Sequence, residues 1–382
     1  MANGIQEAER RVEAVRRTGT AELNLSGLEL TSLPESLGNL ANLTALYVSG
    51  NRLTSLPDWL GNFANLAELD VSFNELPVLP DWLGRLANLA ELDVSWNRLT
   101  SLPDTLGNLA NLTKLDICAN RYLAVLPEWL GNLTNLTYLD VYNTHLTSLP
   151  ESLGNLKNLI YLNVSVNQLT SLPESMRSLT NLTALQVNSN PLTVLPEWIG
   201  NFANLTTLNI CGNELTSLPE WLGNLTNLTG LDVSFNHLTS LPDWLRNLAN
   251  LERLFVEANP LTSLPDWLGS LANLTMFYAF KNELTSLPES LGNLANLERL
   301  NVSENRLTSL PESLRNLKNL AYLNVSMNRL TSLPDWLGSL AKLQTLDVSN
   351  NPLDERHKVA AQEGRKFLLN YLRRLERGET LN

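Results

Sequence analysis

The stretch Leu43-Thr-Ala-Leu46-Tyr-Val48-Ser-Gly-Asn51-Arg-Leu53-Thr-Ser-Leu56-Pro57-Asp-Trp-Leu60-Gly-Asn-Phe63 decides the fold, because its pattern returns every 23 residues along most of the chain. Its asparagine recurs as Asn51, Asn74, Asn97, Asn120, Asn167, Asn190, Asn213, Asn236, Asn259, Asn282, Asn305, Asn328 and Asn351. The step breaks once, between Asn120 and Asn167, where it spans 47 residues. Thr144 fills the missing rung, and the surplus residue lies in Asn120-Arg121-Tyr122-Leu123. A fixed period in this range means stacked repeats and overrides any domain count drawn from length.

Within the unit, Leu46 and Val48 alternate with Ala45, Tyr47 and Ser49, the period-two signature of a short half-buried strand. After Pro57 the period changes, with Leu60 and Phe63 three apart as on one face of a helical turn. Proline suits the start of such a turn, and Asp58 suits its positive end. One unit alone buries almost nothing, whereas stacked units merge their leucines into a continuous core. The asparagine stands where the chain leaves the strand. Its carboxamide both donates and accepts, so it can satisfy backbone groups of its own and the neighbouring loop.

The consensus LxxLPxxLGxLxNLxxLxVSxN runs from Leu30 to Asn351 and resembles the leucine-rich repeat family, in particular the 23-residue repeats of Ras-group and Roco-type proteins. The resemblance implies an α/β fold. It would be a right-handed horseshoe solenoid with a parallel β-sheet on its concave side and short helical or 3₁₀ segments on its convex side. Leu23-Asn-Leu25-Ser-Gly-Leu28 reads as a degenerate first unit, with Leu28 in the asparagine's place.

Both ends carry amphipathic helical patterns. Ile5, Ala8, Val12 and Val15 predict a helix over 5–17, and Leu368, Tyr371, Leu372 and Leu375 predict one over about 359–377. Solenoids need polar-faced caps over their ends. The expected organisation is therefore a cap over 1–20, a repeat array over 21–352, and a cap or linker over 353–382. The segment from Asn351-Pro-Leu353 through Gln362-Glu-Gly-Arg-Lys-Phe-Leu-Leu-Asn-Tyr-Leu-Arg-Arg-Leu375 also resembles the joint between repeats and GTPase in Roco proteins. No GxxxxGK[ST] phosphate loop accompanies it, so GTPase activity does not carry over.

The formal net charge is −12. Residues 353–382 contribute +2 and residues 1–20 contribute +1, which leaves −15 on the repeat body. Much of it is the acid after each motif proline, from Glu35 and Asp58 to Asp335, read as helix-start charge and solubility. Such a body makes nucleic acid an unsuitable partner. No apolar run approaches a membrane span, and the N-terminal residues lack a signal-peptide core, so no membrane partner and a cytoplasmic location are expected. Asn-Leu-Thr triplets such as Asn42-Leu43-Thr44 follow from the repeat and are read as coincidental glycosylation matches. Cys118 and Cys211 share a column four rungs apart, too far for a disulfide, and are expected as free thiols.

A search for chemistry finds none. There is no HExxH, GxSxG, GxGxxG or Cys–His constellation, and His145, His237 and His357 lack ligands at metal spacing. Asp70, Asp93, Asp116 and Asp140 stack in one strand column, about 5 Å apart laterally, near the separation of a retaining-glycosidase pair. Asp is common at this position of the family, and no pocket is implied. The cysteines lie inside repeats, unlike the catalytic cysteine of bacterial ubiquitin-ligase effectors with leucine-rich repeats. The expectation is a non-enzymatic chain with no catalytic residue, cofactor or metal.

Departures from the repeat point to a partner surface. Most concave positions are Asp, Asn, Ser, Thr or Ala. One zone breaks this with Arg253, Phe255, Glu257, Met276, Tyr278, Phe280 and Arg299, all projecting from the sheet because Leu254, Val256, Phe277 and Ala279 turn inward. A second zone holds Lys114, Cys118, Tyr122, Tyr138, Tyr142, His145 and Tyr161. Aromatics with arginine match the composition of interface hot spots; the alternative is drift between duplicated units. The tryptophan column Trp59, Trp82, Trp129, Trp198, Trp221, Trp244, Trp267 and Trp336 is expected to pack laterally on the convex side, while Phe73, Trp96 and Phe235 have no evident role. The sequence thus predicts a protein-binding scaffold or sensor. The alternatives are the recognition part of a Roco-like GTPase, or an engineered or recently duplicated array without a dedicated partner.

Overall fold

A computed structural model describes residues 2–40 and 42–379. The chain packs as two compact units, Met1–Trp198 and Ile199–Asn382. The first contains helix α1 (Ala2–Thr18) and strands β1 (Glu22–Asn24) to β8 (Ala184–Gln186), each hydrogen-bonded in parallel to the next. The second contains β9 (Thr207–Asn209) to β15 (Thr345–Asp347), again parallel and in sequence order, followed by α2 (Glu355–Gln362) and α3 (Arg365–Glu376).

Each strand is three residues long, and its central Leu or Phe points into the core with the Val, Ile or Ala two residues on, or with Leu25 after the first strand. The segment after the proline is a five-residue 3₁₀ turn, as in Asp58–Asn62, where Leu60 N donates to Pro57 O at 3.1 Å. So few residues return on that side that a full α-helix has no room. The 3₁₀ form, with its 2.0 Å rise per residue, spans the distance with fewer. Trp59, Trp82, Trp129, Trp221 and Trp244 each lean on the glycine one unit before, whereas Trp198, Trp267 and Trp336 follow units that carry Arg177, Arg246 and Arg315 there. A Cβ on Gly61 would stand 2.9 Å from that of Trp82, and one on Gly107 2.9 Å from that of Trp129. At those five rungs lateral packing is therefore built into the glycine.

The asparagine ladder works as its chemistry demands. Asn74 Oδ1 accepts from Leu53 N of the preceding unit at 2.9 Å. Its Nδ2 faces the carbonyls of Val48 in that unit and of Val71 and Ser72 in its own, at 3.0, 3.1 and 3.1 Å. At the broken rung Thr144 offers only a hydroxyl, which bonds Val141 O at 2.8 Å. The amide an asparagine there would have capped, Leu123 N, donates instead to Asn120 O at 3.0 Å, a bond closed within the loop that carries the surplus residue. Insertion and substitution compensate one another.

The residue before each ladder position has a positive φ, between 50° and 65°, from Gly50 and Phe73 to Met327 and Asn350. This places Phe73, Trp96 and Phe235 on a left-handed step that orients the carboxamide, and leaves them about half exposed. Gly50 and Gly212 take that conformation without strain, whereas β-branched Val166, at φ 55°, does not. Val166→Gly is expected to raise stability by about 1 kcal/mol. A chemical-denaturation midpoint that stays put or falls would remove the strain argument.

A second asparagine ladder, not foreseen from the sequence, runs along the exposed edge where the chain enters the strands. Asn88, Asn111, Asn135, Asn158 and Asn181 in the first unit, and Asn227, Asn250, Asn273, Asn296 and Asn319 in the second, each donate Nδ2 to a carbonyl of the preceding repeat at 2.8–3.0 Å. Lys342 holds the equivalent position in the last repeat and donates to Asn319 Oδ1 at 2.7 Å.

At the start, α1 buries Ala8 and Val12 against β1 and the first 3₁₀ turn, and Arg11 Nη1 donates to Asn24 O at 3.0 Å. At the end the single helix expected over 359–377 is two, broken at Gly364, whose φ of 95° ends the first helix. Asp354 caps α2 by accepting from His357 N at 3.0 Å. Helix α3 lies flush on the last repeat, burying Leu368 and Leu372.

Candidate functional site

The departures in the second unit converge on β10 (Gly230–Asp232), β11 (Arg253–Phe255), β12 (Met276–Tyr278) and β13 (Arg299–Asn301). Register aligns Gly230, Arg253, Met276 and Arg299 in one row and Asp232, Phe255, Tyr278 and Asn301 in the next. Leu231, Leu254, Phe277 and Leu300 are buried beneath. Ala279 follows Phe277 where other repeats place Val or Ile after Leu, so the larger ring and the smaller side chain share the core volume. On the solvent face the Phe255 and Tyr278 rings lie 5.1 Å apart, tilted by 37°. Arg253 and Arg299 are exposed on either side of half-buried Met276. Gly230 has no side chain to obstruct Arg253, and a Cβ there would stand 3.4 Å from its Nη2. Phe280 and Glu257 stand two residues beyond these strands, both half-buried.

The row containing Phe255 and Tyr278 has a structural duty elsewhere. Its Asp or Asn accepts the amide two residues on: Asp232 takes Ser234 N at 3.0 Å, Asn301 takes Ser303 N at 3.1 Å, and Asn324 takes Ser326 N at 2.9 Å. This local turn explains why carboxylates and carboxamides recur there. Phe255 and Tyr278 cannot supply it in two consecutive repeats. Tyr47 and Gln186 depart from the pattern singly.

Glu257 is the most perturbed acid of this zone. Burial pushes its carboxyl up to about 7, Asp232 adds to the rise, and Oε2 is buried without a hydrogen-bond partner among the described residues. The unfolded chain ionises this group near 4.5, so between these values the folded state holds more proton and stability falls as pH rises. The contribution is whole below 4.5 and gone above 7. Discounted for its partial exposure, it amounts to about 1–2 kcal/mol. Glu257→Gln is expected to flatten the dependence of the denaturation midpoint on pH across that window, and parallel profiles for variant and parent would contradict this.

The other zone divides. Tyr138 and Tyr161, on β6 (Tyr138–Asp140) and β7 (Tyr161–Asn163), stack at 4.6 Å and 5°. Lys114 Nζ lies 5.6 Å from the Tyr138 ring centre and 3.7 Å from Glu91. Tyr142 is half-buried, its amide donated to Asp140 Oδ1 at 2.8 Å. His145 does not join them: it sits on the loop beyond the strand, exposed, at φ 58°, with Nδ1 against Arg121 O. Tyr122 projects from the inserted loop, exposed. Alternation assigns strand residues to faces but says nothing of loop residues, hence the difference.

Burial raises the Asp116 carboxyl to about 6 and lifts Asp93 and Asp140 in the same direction. Asp116, Cys118 and Asp140 bring one ligand atom each within 4.8 Å of one another. Oδ1 of each aspartate already holds the amide two residues on, as in the other repeats, so the grouping follows from the turn. Both thiols are half-buried and free. Burial, with Asp116 beside it, pushes the Cys118 thiol up, and burial with Asp232 and Glu257 pushes Cys211 up to about 12, away from thiolate reactivity.

A ladder of buried asparagines, a parallel sheet with solvent-facing variable positions and a 3₁₀ return define a leucine-rich-repeat solenoid. Family models agree: a leucine-rich repeat region matches residues 22–126 and 125–214, and leucine rich repeats match 203–261, 280–330 and 295–353. The chain belongs to the leucine-rich repeat family. Among solved structures it is similar to a leucine-rich repeat protein of Leptospira interrogans, with 32% identity and TM-score 0.86 over 93% of this chain and 96% of that one. The leucine-rich effector YopM of Yersinia pestis is 29% identical with TM-score 0.71, covering 91% and 94%. The leucine-rich repeat ectodomain of the Arabidopsis thaliana receptor kinase GASSHO1, solved with Casparian strip integrity factor 2, is 32% identical with TM-score 0.67, covering 84% of this chain and 43% of that one. No curated protein sequence matches the chain. Among the described residues, no helix is long and apolar enough to cross a membrane.

Proposed function

We propose that the chain is a protein-binding scaffold or sensor whose main contact is the Phe255–Tyr278 face. One observation carries this: two consecutive repeats give up the turn-capping Asp or Asn and set aromatic rings there instead. A sequence drifting without function would keep the cap, worth about 1 kcal/mol in each repeat. The ectodomain relative, solved with a bound partner, supports binding by this fold. The thiols' resistance to ionisation favours a non-enzymatic reading. A reducing, cytoplasmic compartment fits two free cysteines. The Ras-group or Roco-type kinship rests on the 23-residue period and the C-terminal segment alone.

Restoring the consensus tests the reading. Phe255→Asn with Tyr278→Asn is expected to raise stability by about 2 kcal/mol, through the two regained caps, while weakening partner binding by about 2 kcal/mol or more per residue. A partner recovered by pulldown with the parent chain, titrated calorimetrically against both forms, gives the answer. Unchanged affinity would move the contact to the Tyr138–Tyr161 stack.

A further inference from the structure

The arginines beside the aromatic pair specify the partner's chemistry. Among the described residues Arg253 and Arg299, like Arg329 and Arg356 of the same unit, make no ion pair and no side-chain hydrogen bond, whereas Arg246, Arg306, Arg315, Arg374 and Arg377 are paired with acids. Arg253 and Arg299 stand in one row with only Met276 between them, two strand spacings apart, or about 9.6 Å. Three residues of a polyproline II helix advance about 9.3 Å and return to the same face. Aromatic-lined surfaces are the recognised seats for such chains. The conformation is also largely formed before binding, which lowers the ordering cost.

The patch offers two unpaired cations on a molecule that is acidic as a whole. The chain as a whole carries −12, and an acidic ligand would be repelled at a distance. Screening over about 8 Å in physiological salt leaves the contact to the two unpaired guanidinium groups, set against Asp232 beside Phe255 in the next row and Glu252 and Glu298 adjoining the arginines in sequence. Glu257, which shares the patch with Asp232, is held partly protonated near neutrality by its burial.

We propose that this face takes an extended, proline-containing acidic segment. Two carboxylates three residues apart would sit on Arg253 and Arg299, and the residues between them on Phe255 and Tyr278. The inference rests on the reading of the aromatic pair as a contact surface.

The test uses the full chain and a fluorescein-labelled Pro-Glu-Pro-Pro-Glu-Pro peptide, followed by anisotropy. Its controls are the same peptide with both Glu replaced by Gln, and a Pro-Pro-Glu-Glu-Pro-Pro isomer of equal charge. Binding by the spaced acidic peptide that exceeds both controls at least about tenfold, and weakens with salt, is expected. Arg253→Glu with Arg299→Glu, its fold checked by circular dichroism, should abolish that binding and instead accept the peptide carrying Lys for Glu. No binding up to the peptide's solubility limit, equal binding of the Gln peptide, or indifference to the charge reversal overturns the proposal. If Phe255→Ala with Tyr278→Ala removes peptide binding while the charge reversal does not, the aromatic surface stands and the acidic recognition falls. If neither pair of substitutions matters, both fall.

Discussion

Deleting residues 354–382 is expected to lower the unfolding midpoint steeply and make the protein prone to aggregate. Helix α3 covers Trp336, Leu337, Leu340 and Leu343, each no more than 4% exposed. Its fit is close: a Cβ on Gly338 would lie 2.4 Å from Arg373 N. Arg373 Nε donates to Gly338 O at 3.0 Å and Arg365 Nη1 to Leu343 O at 2.6 Å, capping carbonyls the last repeat has no successor to meet. Uncovering even part of this apolar edge costs several kcal/mol, at about 1.5–3 kcal/mol for each large side chain returned to water. Leu372→Asp in the intact chain should act in the same direction. Light scattering and denaturant titration decide the matter. A truncated protein as soluble and stable as its parent would make the segment a linker and not a cap.

Asn97→Ala is expected to cost about 3 kcal/mol. The carboxamide accepts from Leu76 N at 3.0 Å and faces the carbonyls of Val71, Val94 and Ser95 at 3.0, 3.1 and 3.2 Å, all without access to water. Removal leaves at least one buried amide with no acceptor. Asn88→Ala in the outer ladder removes one hydrogen bond, to Ala64 O at 2.8 Å, at an exposed edge where water replaces it, and should cost about 0.5 kcal/mol. Equal losses in the two variants would mean that burial does not set the asparagines' worth.

These two ladders show what could be read from the chain and what could not. The inner one was legible because 23-residue spacing put a polar residue where only buried backbone awaited it. The outer one is spelled by the same residue at the same period, yet its exposure hid the fact that it bonds at all. Likewise the strand aspartates read only as a stacked column without a pocket, since their turn-capping role depends on a bond to the amide two residues on that alternation does not reveal. The step before each rung accepts Gly, Phe, Ala, Val, Lys or Met, so no residue type betrays its positive φ, and Phe73 and Trp96 remained unexplained. The candidate surface followed from alternation where residues lie on strands. It failed for His145, which a loop carries away. Gly364 was visible, but the apolar spacing from Leu368 to Leu375 lies wholly beyond it and left the start of the helix unmarked.

The compensation at Thr144 also bears on how such an array changes length. Elsewhere in each unit the cross-repeat bonds recur at the same offsets, so excising or duplicating one whole 23-residue repeat re-creates the junctions it disturbs. Unequal recombination between repeats can therefore lengthen or shorten the protein by single rungs. The rung at Thr144 is an exception, because its missing carboxamide is made good by a residue inserted one repeat earlier. A crossover that parts the two sets Thr144 after a regular repeat, whose leucine amide then has no carboxamide to meet, or brings the surplus residue against a regular rung. That pair of repeats is inherited together or not at all.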